Sequence, residues 1–138
     1  MLRLLTGGTL LVAGVLKVGH AADLAASIAG FALLPAAVVG PLALALPFIE
    51  ILMGAYLVAG LFTRATAVVV AGQFALYAGA VASAVIRHLP ANCGCFGPGD
   101  AAVADWPHVA FDALLAAAAI FIAYGAPGSL AIDRKLGA

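Results

Sequence analysis

Charge is scarce in this chain of 138 residues, with six acids and six bases making up 9% of it, where a soluble domain carries about a quarter. The net charge is +0, so no basic face offers itself to nucleic acid and no run of like charge forms a tail. Cysteine is scarcer still at two residues, which excludes a disulfide-rich secreted scaffold. The HExxH zinc helix, the haem-attachment pair, the phosphate-binding glycine loop and the nucleophile elbow are all missing. No internal repeat or soluble appendage interrupts the chain. What remains is apolar: 66% hydrophobic residues and a mean hydropathy of +1.21. An integral membrane protein of one domain, residues 1–138, is the expectation.

Four apolar runs are long enough to consider as spans, at roughly 4–22, 36–62, 65–86 and 107–126, since about 20 residues of helix cross about 30 Å of hydrocarbon. Their apolar character is continuous instead of alternating, which excludes a membrane β-barrel. The stretch from Asp23 to Pro35 is too short and too mixed to span, and reads as a short helix lying at the interface. The fold expected is therefore all-α, a membrane four-helix bundle with an interfacial helix between its first and second spans. Arg3, Leu4 to Leu16 and Gly19-His20-Ala21-Ala22 also resemble a cleaved secretory signal. The three-residue amino-terminal region and the interruption at Lys17 favour a retained first span instead.

Basic residues orient the spans. Arg3, Arg64, Arg134 and Lys135 fall on one side, against Lys17 and Arg87 on the other, and the positive-inside rule puts both termini in the cytoplasm. The other side receives Asp23, Asp100, Asp105, the interfacial anchor Trp106 and the segment Asn92-Cys93-Gly94-Cys95-Phe96-Gly97. In a bacterial inner membrane that side is the periplasm, where disulfides persist.

Counting 1.5 Å per residue from the inner end puts Lys17 at about 21 Å, Glu50 and Tyr77 at about 18 Å and Asp112 at about 22 Å. A charge at mid-bilayer costs about 2.5–3.5 kcal/mol, so these groups should face the bundle interior and pair. Lys17 with Glu50 is the expected pair, and Asp112 has Arg87 as an alternative partner at the outer rim. Lys17, Glu50 and Asp112 together form a candidate intramembrane polar cluster or proton relay, against the simpler reading of a contact that pins the bundle. Ala71, Ala75, Gly79 and Ser83 on the third span, and Ala55 and Ala59 on the second, make small-residue stripes that invite close helix approach. Pro41 and Pro47 predict a kink ahead of Glu50.

Three readings fit Cys93 and Cys95. As a redox pair they need an exposed loop, which Gly94, Gly97, Pro98 and Gly99 favour, and Arg87 and His88 stand nearby in sequence to tune a thiolate. As a soft-metal site the two thiolates would be joined by His88 or His108. As a structural staple the ring they close is too small to remove much chain entropy. A complete relay through two disulfides needs four cysteines, so a single pair must hand electrons to a quinone-like acceptor, exchange with two successive partners, or do neither.

Ala13-Gly14-x-x-Lys17, Leu46-Pro47-x-x-Glu50-x-x-x-Gly54 and Cys93-Gly94-Cys95-Phe96-Gly97 together resemble the MauE methylamine-utilisation membrane proteins, within the broader DoxX-like group of four-helix membrane proteins. The resemblance covers almost the whole chain, and the cysteine motif is its most specific part. It implies a membrane component that assists disulfide formation or maturation of an exported client protein beside a thioredoxin-like periplasmic partner. It is also similar in architecture to the quinone-using disulfide-forming enzymes of the DsbB and vitamin K epoxide reductase kind. A membrane thiol-disulfide oxidoreductase is thus the expected activity, with Cys93 and Cys95 as its catalytic pair and a quinone as candidate cofactor. A soft-metal binding or transport protein and a non-catalytic membrane scaffold are the alternatives.

Overall fold

The computed structural model describes residues 2–89, 105–125 and 132. These residues form five helices and no strand: α1 (Leu2–Lys17), α2 (Ala21–Gly30), α3 (Ala36–Ala59), α4 (Thr63–Ile86) and α5 (Trp106–Gly125). By length and composition α3, α4 and α5 can each cross a membrane, and α1 with α2 makes a fourth candidate if the two count as one span bent by 110°. The continuous apolar run expected over 4–22 is thus broken at Lys17. Gly19 adopts a left-handed φ of 80°, and the amides of Val18 and His20 turn back onto the carbonyls of Val15 and Lys17 at 3.3 and 3.1 Å. A short helix between the first two long ones is present as α2, and it rests on α3.

The other boundaries follow from local chemistry. Pro35, with φ fixed and no amide proton, stands immediately before α3. At the far end Gly60 takes the left-handed cap, φ 75°, and its amide donates to the Tyr56 carbonyl at 2.8 Å. The turn from α3 to α4 is therefore Gly60 to Phe62, earlier in the chain than the break at 63–64 between the expected spans 36–62 and 65–86. α3 continues as one helix through Pro41 and Pro47.

Two antiparallel pairs carry most of the packing, α1 with α3 and α4 with α5, and contacts of α3 with α4 and α1 with α5 close them into a cycle. The direction of each pair can be read from its ends. Arg64 Nε at the start of α4 donates to the Ala123 carbonyl near the end of α5, at 3.2 Å, while Val81 and Ala84 near the end of α4 pack with Val109 near the start of α5. In the other pair Gly7 lies against Gly54 and Gly14 against Pro47. A Cβ added to Gly14 would stand 2.8 Å from the Pro47 carbonyl oxygen, and one added to Gly54 would stand 2.7 Å from the Gly7 carbonyl oxygen. The small-residue contact thus belongs to α1 and α3. The stripe expected on α4 does not work this way, because Ala75 and Gly79 are exposed and a Cβ at Gly79 would meet nothing within 4 Å. Ala55 on α3 is exposed as well.

Burial is inverted relative to a water-soluble domain. Leu76, Leu114 and Phe121 are 75%, 69% and 72% exposed, while Lys17, Glu50 and Asp112 are 3%, 0% and 2% exposed. Large apolar side chains outside and charged ones inside suit a hydrocarbon surrounding, where a polar group must find its partner within the protein.

Candidate functional site

The buried charges gather because four helices each turn a polar residue inward. Lys17, at the end of α1, sends its Nζ to both carboxylate oxygens of Glu50, on α3, at 2.9 Å each. Tyr77, on α4, donates its hydroxyl to Glu50 Oε1 at 2.6 Å. One turn earlier on the same helix, Gln73 Nε2 donates to the Tyr77 oxygen at 2.8 Å. The Lys17 ammonium also lies 5.8 Å from the Tyr77 ring centroid, within the range at which a cation is attracted to an aromatic face. Glu50 therefore accepts three hydrogen bonds from protein groups in a buried site, two of them from a single cation. Charge-assisted bonds of this kind are the strong ones.

Asp112, on α5, belongs to the same interior without touching the pair. It lines, together with Glu50, Tyr77 and Thr9, a cavity of about 20 Å³ that leaves room for one water molecule. Its Oδ2 is buried with no hydrogen-bond partner among the described residues. The alternative pairing of Asp112 with Arg87 is not formed. Arg87 directly follows α4, where its Nε bonds the Ser83 hydroxyl at 3.0 Å and its Nη2 donates to the Phe31 carbonyl after α2. Asp112 stands more than a turn inside α5, too deep for a guanidinium already held at the helix end.

The remaining candidates divide between described and undescribed parts. Cys93 and Cys95 lie outside the described residues, between Leu89 and Asp105 in the chain. His88, expected to tune a thiol with Arg87, is exposed and follows α4 in a left-handed conformation, φ 55°. His108 is turned toward Asp105, its Nδ1 2.5 Å from Asp105 Oδ1. Among the described residues no three His, Cys, Asp or Glu side chains come together as a metal-ligand set. Gln73 is the member of the network that sequence reasoning missed; its position four residues before Tyr77, on the same face, was the available signal.

Asp105 has a second role, at the start of α5. Its carboxylate accepts from the His108 amide at 3.1 Å, the N-cap bond that satisfies an otherwise free helix donor. The His108 side chain first, and then this backbone amide, hold the Asp105 carboxyl below its ordinary value. A carboxyl depressed in the folded state gives a contribution present above its unfolded value, about 3.9, and lost as pH falls through the lower folded one. The His108 amide proton resonance is accordingly expected to move at a pH below that of an unstructured aspartate. In Asp105→Asn, which still caps but does not ionise, that low-pH step should vanish.

Comparison with known proteins agrees with the membrane character of this interior. No curated protein and no solved structure gives a significant match. A family model described as methylamine utilisation protein MauE matches residues 1–125, a span that includes α1 to α5 and the whole buried network, and the chain therefore belongs to the MauE family.

Proposed function

We propose that this chain is a four-helix bundle of the bacterial inner membrane, with α2 at the interface, both termini in the cytoplasm, and Cys93 and Cys95 on the periplasmic side. There the pair performs thiol-disulfide exchange with a thioredoxin-like partner and assists maturation of an exported client in methylamine utilisation. The family description supports the pathway. The observation that carries the mechanism is the buried Lys17–Glu50–Tyr77 network with Asp112 beside it, because a bilayer retains such groups chiefly where they handle protons, ions or substrate.

In the exchange, a thiolate attacks a disulfide sulfur and one S–S bond forms as another breaks; after the second such attack two electrons and two protons have passed from the dithiol, now a disulfide, to the disulfide, now a dithiol. The chain's own contribution is the pair of thiols and a membrane interior able to hold a proton. With a single cysteine pair, the chain completes the exchange either with two successive protein partners or by passing the electrons to a quinone-like acceptor.

The redox state of the cysteines tests this reading. In intact cells, alkylation with a mass-tagging reagent is expected to show the fraction of reduced Cys93 and Cys95 changing when the thioredoxin-like partner is deleted. A Cys95→Ser variant should accumulate a mixed disulfide through Cys93. An unchanged alkylation pattern together with no trapped partner would rule the exchange role out.

A further inference from the structure

Asp112 poses a problem that the pairing of Lys17 with Glu50 does not solve. The side chain is 2% exposed, and its Oδ2 has no hydrogen-bond partner among the described residues. Leaving a buried polar oxygen unsatisfied costs about 1–3 kcal/mol, and more for a charged one. Lys17, the ammonium of the same interior, is engaged by both oxygens of Glu50. Yet Asp112 borders a cavity of about 20 Å³ whose other polar walls are Glu50, Tyr77 and Thr9, closed by Leu10, Phe74 and Phe111 among others. One water needs about 10–15 Å³ by the same measure, and two to four polar partners. Size and lining both meet that requirement, whereas an apolar cavity of equal size would stay dry.

We propose that this cavity is a binding site for a single water molecule, which donates to Asp112 Oδ2 and joins it to the Glu50–Tyr77 pair. The link matters because it connects two carboxyls on different helices that do not touch. The titratable and charged groups around it are Lys17 from α1, Glu50 from α3, Tyr77 from α4, and on α5 Asp112 itself with His108 one turn outward. Two carboxyls face one ammonium, so one proton held by either carboxyl brings the cluster to charge balance. Through the water that proton can leave one carboxyl while the water gives its own to the other, with no change in net charge and no side-chain movement. The site then acts as a one-proton store shared between α3 and α5. It rests on the cavity and on Asp112, and stands or falls independently of the exchange chemistry of Cys93 and Cys95.

Infrared spectroscopy of the purified full chain in lipid nanodiscs tests the site, with ordinary water exchanged for H₂¹⁸O and for D₂O. The expected result is an O–H stretching band of an enclosed water that shifts with ¹⁸O, together with a carboxylic C=O band that shifts in D₂O. Ala13→Val adds carbon to the cavity wall and is expected to abolish the water band and move the C=O band, although both carboxyls remain. Asp112→Leu removes the oxygen the water binds and should also abolish the water band, so the test survives if one of the two variants does not fold. Val12→Ile, on the exposed face of the same helix, should leave both bands in place. No ¹⁸O-sensitive enclosed-water band in the wild type, or the same band in both Ala13→Val and Asp112→Leu, would overturn the proposal.

Discussion

Replacing Glu50 by Leu is expected to lower the unfolding free energy by about 3–5 kcal/mol, with a similar loss for Lys17→Met, because each leaves the other charge buried and unpaired. Two smaller figures compete with this one. An exposed ion pair is worth about 0.2–1 kcal/mol, and interhelical hydrogen bonds in membranes average about 0.6 kcal/mol. Burial decides between them: both side chains are almost wholly enclosed, so water cannot take over the bonds that are lost. The double variant Lys17→Met with Glu50→Leu is expected to regain most of the stability, since apolar side chains of similar volume replace a buried pair at little net cost. A residue of about 1–3 kcal/mol should remain, from the Tyr77 hydroxyl that has lost its acceptor. Adding Tyr77→Phe should remove only part of it, because Gln73 Nε2 then loses the oxygen it donates to. Denaturation midpoints in mixed micelles read all four proteins. Single variants within about 1 kcal/mol of the wild type would mean that the pair behaves as an exposed one.

That pairing was legible in the sequence for a physical reason. A bilayer penalises an isolated charge so heavily that the few ionisable residues in long apolar runs must seek one another, and Lys17 and Glu50 lie at similar depth in adjacent spans. Depth along a helix follows from counting residues, but rotation about its axis does not. α3 and α4 are apolar on all sides, so no hydrophobic period points to their inner face. This is why the stripe through Ala75 and Gly79 looked like a contact and is exposed, and why Gln73 went unnoticed beside Tyr77. The Arg87 alternative failed at a different point. A long guanidinium side chain one residue past a helix end finds nearby carbonyls and a hydroxyl, here those of Phe31 and Ser83, before it can reach a carboxyl more than a turn into a neighbouring helix. The break after Lys17 depends on one left-handed glycine within an otherwise apolar run, a local signal easily outweighed by composition.

Gly54→Ala is the second substitution with a large expected effect, a loss of about 1–3 kcal/mol from overpacking. On helix propensity alone it should stabilise, since glycine costs about 0.8–1 kcal/mol relative to alanine in a helix interior. The surroundings reverse the sign. The new methyl would stand 2.7 Å from the Gly7 carbonyl oxygen and 2.8 Å from the Leu11 amide nitrogen. Both are backbone atoms of α1, which cannot rotate aside as a side chain can, so the helices themselves must separate. Lys17 and Glu50 bridge that same pair of helices, with Gly54 one turn beyond Glu50 on the same face of α3, and separation lengthens their bonds as well. Gly8→Ala and Gly40→Ala supply the contrast: a Cβ at either position meets nothing within 4 Å, and both are expected to be neutral or slightly stabilising. Gly14→Ala should behave like Gly54→Ala, because its methyl would press on the Pro47 carbonyl at 2.8 Å and the Ile51 amide at 3.0 Å. Thermal unfolding of the four variants in the same detergent separates the two effects. If Gly54→Ala unfolded no lower than Gly8→Ala, propensity would outweigh contact, and the close seam between α1 and α3 could not be what holds Lys17 against Glu50.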